Sequence, residues 1–208
     1  MCDKIIFDPD SIPYFEPPQF HSNGIPMPLI PLNVELKRKV FSPPCRCPAK
    51  AEAQNEKYAA IIRSRFSGRD SEMSSLVCFI YQAIKFSVCS EEFCQAIYDI
   101  ILEKLGHIRV LGELLLSLGG EPKFFCGVSP NAIAGSWWNA SPAVIQYPAD
   151  LGQALQSNIS REKESIAEYK SISAYIDDKG VCSALQGIIL EKEKHLETFS
   201  LLYTRFCS

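Results

Sequence analysis

The sequence predicts an all-α fold: a four-helix bundle made of two helical hairpins joined by one long crossover. Three observations predict it. From about residue 54 of the 208-residue chain, apolar residues recur three and four apart in four blocks, and no block alternates as a strand would. The links inside each pair of blocks are short, whereas the link between the pairs is roughly thirty residues long. One phrase, Leu-Glu-Lys-x-x-His, is written twice, at the matching place in each pair.

Ten of the fourteen prolines lie before residue 49, in runs such as Pro17-Pro18 and Pro43-Pro44, so this stretch holds neither a helix nor a central strand. Residues 1–53 are therefore expected to form an extended strap over a second unit, the bundle of residues 54–208. The first block runs over 54–65 and, through a Ser-Gly-Arg-Asp break, into 70–88. The second spans 91–118 and stops at Gly119-Gly120-Glu121-Pro122. The third spans 150–177 and the fourth 179–206, with Asp177-Asp178-Lys179-Gly180 as the turn between them. The crossover carries Trp137-Trp138 and is long enough to travel the length of the bundle, because an extended chain covers about 3.3 Å per residue and a twenty-residue helix is about 30 Å long.

Bulk composition narrows the function classes. With 47% hydrophobic residues the chain can bury a real core. A formal charge of −3, with lysines and arginines interspersed among acids, argues against a nucleic-acid partner. No segment reads as a membrane span or a signal sequence, so no membrane partner and a cytoplasmic location are expected. Of the nine cysteines, Cys78, Cys94 and Cys182 fall inside helical patterns and are expected as reduced, small apolar groups. Cys45-x-Cys47 is half of a zinc motif without a visible second half.

The repeated phrase reads Leu102-Glu103-Lys104-x-x-His107 and Leu190-Glu191-Lys192-x-x-His195. At about 100° per residue, Lys104 and Lys192 fall near the centre of the apolar arcs of the second and fourth blocks, the histidines somewhat off centre, and Glu103 and Glu191 near the edges. On the third block, Leu151, Leu155, Ile159, Glu162, Ile166 and Tyr169 form one stripe, so Glu162 takes a core position. Glu72 sits at the margin of the first block's stripe of Leu76, Phe79, Ile80 and Ala83. One carboxylate from each of two helices and one histidine from each of the other two is the skeleton of a di-metal carboxylate site. Its remaining ligands would be carboxylates three residues before each histidine, and both positions are lysine. A protonated amine cannot ligate a metal. The charges balance differently: two glutamates and two lysines make a neutral interior. The alternative reading keeps a metal site with Glu103 and Glu191 as shifted ligands beside Glu72, His107, Glu162 and His195. A buried lysine acting as a nucleophile is a third reading, opposed by the facing carboxylates.

Across residues 56–206 the chain resembles the bacterial ferritin-like proteins related to rubrerythrin and to the manganese-catalase-like spore-coat proteins. The resemblance rests on Tyr58-Ala59-Ala60, Ser71-Glu72-Met73, Leu118-Gly119-Gly120-Glu121-Pro122, Trp138-Asn139-Ala140-Ser141, Glu162-Lys163-x-x-Ile166-x-x-Tyr169, Ile176-Asp177-Asp178 and the two histidines. It implies that Glu72, His107, Glu162 and His195 stand at ligand positions, and that Lys104 and Lys192 stand where two further glutamates would. Two iron or manganese ions acting on peroxide or dioxygen is the chemistry it implies; the lysines lead instead to an expectation of no metal, a structural role, and a homo-oligomer (dimer) or protein-coat partners, in a spore or elsewhere. No catalytic residue is assigned.

Overall fold

A computed structural model describes residues 49–124 and 147–207. Most of the strap, Cys45-x-Cys47 and Trp137-Trp138 lie outside the described residues. Five helices occupy the described part: α1 (Glu56–Ser67), α2 (Glu72–Lys85), α3 (Glu91–Ser117), α4 (Leu151–Tyr175) and α5 (Lys179–Cys207). The Ser-Gly-Arg-Asp break thus separates α1 from α2, and α2 to α5 form the bundle, with α2–α3 and α4–α5 as its hairpins.

Each boundary has a local chemical cause. Asn55, Ser71, Ser90 and Asp150 cap α1 to α4 by accepting hydrogen bonds from first-turn amides, and Ser71 makes a reciprocal capping box with Ser74. Helix α3 ends in a Schellman arrangement: the Gly120 amide donates to the Leu115 carbonyl (2.8 Å), the Gly119 amide to Leu116 (3.1 Å), and Gly119 takes the positive φ of 86° this requires. Asp178 starts α5, accepting from the Val181 amide (2.9 Å) and from the Glu52 amide (2.8 Å). Gly180 is needed there because an added Cβ would sit 2.0 Å from the Lys50 carbonyl oxygen. Residues 49–52 are thereby tied to the α3 and α5 ends, Ala51 donating to Ser117 Oγ (2.9 Å).

Phe79, Phe93, Ile97, Leu111, Leu114, Leu155, Leu185, Ile188 and Phe199 fill the middle of the bundle. Two stripe assignments differ from expectation. Ile80 is exposed, on the outer flank of α2. Ile159 is half-buried, and Asn158 takes the inner place, exchanging two hydrogen bonds with Gln82 across α2 and α4 (3.0 and 2.7 Å). A polar side chain can sit there because each amide satisfies the other.

Candidate functional site

Four helices bring four charged side chains to one point in the core. Glu72 is the first residue of α2, where the helix N-terminus favours a carboxylate. Glu162 projects from the middle of α4, Lys104 from α3 and Lys192 from α5, and all four are almost wholly buried. Lys104 Nζ lies 3.2 Å from Glu72 Oε2 and 2.9 Å from Glu162 Oε1. Lys192 Nζ lies 2.8 Å from Glu72 Oε1 and 3.2 Å from Glu162 Oε2. Each ammonium bridges both carboxylates, so the four groups close a ring of alternating charge. The ammonium groups also lie over aromatic faces, Lys104 5.0 Å from the Phe79 ring centre and Lys192 5.6 Å from that of Tyr169.

The histidines flank this ring, and Glu103 and Glu191 lie beyond them. His107 places Nδ1 3.4 Å from Glu72 Oε2 and Nε2 2.7 Å from Glu191 Oε2. His195 places Nε2 2.6 Å from Glu103 Oε2, while its Nδ1 is 4.0 Å from Glu162 and has no hydrogen-bond partner among the described residues. Glu103 and Glu191 therefore cross over: each, half-exposed on its own helix, engages the histidine of the other helix from the outer side. The repeated phrase thus builds a pseudo-two-fold site, with Phe79 and Tyr169 as a further matched pair seven residues after Glu72 and Glu162. That pair breaks the symmetry, because the Tyr169 hydroxyl donates to Glu72 Oε1 (3.0 Å) and Phe79 has nothing to donate.

Electrostatics follow from these contacts. Burial would raise the Glu72 pKa, but Lys104, Lys192 and His107 hold it well below the ordinary carboxylate value. Glu162 is likewise opposed by burial yet brought down to about 2 by the two ammonium groups. Burial would discharge Lys104, and Glu162 and Glu72 instead raise its pKa, which favours the charged, non-nucleophilic amine. His107 is desolvated but bonded to two carboxylates, Glu191 and Glu72, and its pKa is raised. His195, desolvated and facing Lys104 with one bonded carboxylate, has a lowered pKa. The hydrogen bond from His195 lowers the Glu103 pKa, and burial with Glu72 nearby raises that of Tyr169.

The sequence-predicted residues Glu72, Lys104, His107, Glu162, Lys192 and His195 are thus brought together, with Glu103 and Glu191 on the outer edges of the imidazoles. Tyr81 packs edge-on against Tyr147 (4.7 Å). The matched place of Phe79, and the crossing of Glu103 and Glu191 between helices, were not foreseen; the seven-residue offset from each core glutamate was the signal for the first. The donor set does not fit two divalent ions. Both buried carboxylates are occupied by ammonium groups, which have no lone pair to give. Four positive charges from metals would also have to join two from lysine against four carboxylates, two of them on the outer edges of the imidazoles. Among the described residues no three His, Cys, Asp or Glu side chains converge as a metal-holding group.

A family model described as a ferritin-like domain matches residues 74–206. The chain belongs to the ferritin-like family. No curated protein matches it. Among solved structures this ferritin-like chain is similar to a manganese catalase from Anabaena, with a TM-score of 0.63, 17% identity and 74% of each chain covered. It is also similar to the bacterioferritin of Desulfovibrio desulfuricans, a protein with a diiron site (TM-score 0.56, 16% identity, 72% of this chain and 79% of that one). At these identities the likeness is one of fold. Among the described residues no helix is long and apolar enough to cross a membrane.

Proposed function

We propose that this ferritin-like protein carries a degenerate di-metal site, in which Lys104 and Lys192 replace ligand carboxylates, and that its role is structural or interactive. The observation that carries the reading is the closed ring of four ion pairs, 2.8 to 3.2 Å long, around two fully buried lysines. Buried charge persists only when paired and hydrogen-bonded, and here each ammonium meets two carboxylates. The interior is then neutral without an ion, and its order does not depend on metal supply. A protein coat, in a spore or elsewhere, is the setting that the family resemblance suggests for such a bundle.

The fold likeness to a manganese catalase and a diiron bacterioferritin supports a second reading, an oxidoreductase acting on peroxide or dioxygen with Glu103 and Glu191 as shifted ligands. It is the weaker one, because those carboxylates engage Nε2 on the outer side of each imidazole rather than the space between the core glutamates. Elemental analysis of protein loaded with ferrous or manganous ion decides between them. Substoichiometric metal and no peroxide or oxygen turnover are expected. About two ions per chain, with turnover abolished in His107→Ala, would reject the degenerate site.

A further inference from the structure

The turn between α2 and α3 carries a pair of cysteines that the charged core does not use. Helix α2 ends at Lys85 and α3 begins at Glu91, with Ser90 as its cap, Oγ accepting from the Phe93 amide (3.1 Å). Cys89 is therefore the residue just before the cap, and Cys94 is the fourth residue of the helix. In that register two side chains meet across the first turn, because the chain enters the helix folded back along its flank; in other helices the two places hold apolar residues. Here both hold sulfur. The contacts agree with the register. The Phe86 carbonyl oxygen accepts from the Cys89 amide (2.9 Å) and from Cys94 Sγ (3.4 Å), so both residues are anchored on one atom. Cys94 Sγ also reaches the Ala83 carbonyl oxygen (3.9 Å). Both are free thiols, and they are unequal: Cys89 is exposed and Cys94 is buried. Burial, and then neighbouring Cys89, push the Cys94 thiol pKa up, which keeps it a small, protonated packing group in the reduced protein. The other described cysteines are placed differently. Cys78 lies against Arg161 (3.1 Å), Cys182 against the Ser173 and Ile176 carbonyl oxygens (3.5 and 3.2 Å), and Cys207 is exposed at the end of α5.

We propose that Cys89 and Cys94 form a dithiol–disulfide modification site at the start of α3, closed by exchange with a low-molecular-weight disulfide and reopened by the corresponding thiol. Exposure makes Cys89 the point of entry. Its thiolate attacks one sulfur of the small disulfide, whose S–S bond breaks; one small thiolate leaves and takes up a proton, and Cys89 carries the mixed disulfide. Cys94 then loses its proton as its sulfur bonds to Cys89 Sγ, and the second small thiolate leaves with that proton. Two protein thiols are oxidised and one small disulfide is reduced to two thiols, so no further reactant is needed. The new bond replaces the Cys94–Phe86 hydrogen bond and fixes the entry to α3, where Glu92 reaches Arg205 of α5 (2.8 Å). The loop it closes is short, so closing it removes little freedom from the unfolded chain. What favours the bond is the helix cap, which holds the two sulfurs on one flank.

Equilibration of the full chain with oxidised and reduced glutathione, then acid quenching, alkylation and mass spectrometry of tryptic peptides, tests the proposal. Cleavage after Lys85 and Lys104 releases residues 86–104, a peptide that holds Cys89 and Cys94 and no other cysteine. The expected product is that peptide two hydrogens lighter and closed to alkylation. Cys94→Ser should stop at the glutathione adduct of Cys89, and Cys89→Ser should leave Cys94 unmodified, because the entry thiol is gone. A comparison with the isolated peptide separates a built site from closeness in sequence, since a flexible link of this length already supplies an effective concentration on the order of millimolar. The equilibrium constant for closure should be about tenfold or more larger in the folded chain, where the cap holds the sulfurs together. The wild-type peptide decides the case whatever a variant does to folding. Two free thiols, a stable glutathione adduct, a bond from either cysteine to a different one, or equal constants in chain and peptide would each overturn the proposal.

Discussion

At Glu162 a single carboxylate faces two ammonium groups, and its removal leaves one positive charge without a counterpart in the core. Glu162→Gln is expected to destabilise the protein by about 3–5 kcal/mol, read from urea unfolding. Replacing all four tetrad residues by apolar side chains of similar volume should lose little stability or add about 1–4 kcal/mol, because the desolvation of four charges disappears with them. Acid acts on the same group. Its folded pKa of about 2 lies below the ordinary value of 4.5, so its contribution is complete above 4.5 and is lost as the pH falls from there towards 2. Glu72 is shifted in the same direction, and the urea midpoint should therefore drop steeply below pH 4.5. The histidines oppose each other. The stabilisation from His107, whose pKa is raised, is present below 6.5 and lost as the pH rises through its folded value; that from His195, whose pKa is lowered, is lost as the pH falls below 6.5. Imidazole resonances followed by NMR should titrate above 6.5 for one ring and below it for the other.

Between elements, the Gln82–Asn158 exchange and the Tyr169–Glu72 hydrogen bond both join α2 to α4, the pair of bundle helices from different hairpins that share Glu72 and Glu162. Asn158→Ala strands a buried Gln82 amide and is expected to destabilise by about 1–3 kcal/mol in thermal or urea unfolding. An apolar pair at both positions, matched in shape, should recover most of that loss, which would show that the amides specify alignment more than stability. Tyr169→Phe removes a donor to a charged acceptor and should cost about 1.5–3 kcal/mol, while making the site symmetric with Phe79.

For the whole molecule, the proposed degenerate site makes the two lysines the groups that free the bundle from a need for ions. Lys104→Glu combined with Lys192→Glu places four carboxylates and two histidines around one point, and such a cluster is stable only with divalent cations. The double variant is expected to be less stable than wild type in chelator and to gain thermal stability with added ferrous or manganous ion, by the linkage of binding to folding. Wild type should show no such gain in the same calorimetric scan. A gain in wild type, or none in the double variant, would mean that the lysines are not what separates this core from a metal site.

Helical periodicity, the capping residues and the two glycines after Leu118 are local signals, which is why the four main blocks and their turns could be read before any fold was known. The repeated Leu-Glu-Lys-x-x-His phrase was equally legible, since a helix converts spacing into direction, and it placed Lys104, His107, Lys192 and His195 on inward faces. Spacing along one helix says nothing of what faces it across a gap. Only the packing of α3 against α5 decided that Glu103 meets His195 and Glu191 meets His107, and only the rotation of α2 decided that Ile80 turns outward while Glu72 is buried. The sequence by itself determined the helices and the inward direction of the repeated lysines and histidines, because those depend on the backbone repeat. The tertiary structure decided the partners, because a hydrogen bond or ion pair depends on distances set by four helices at once.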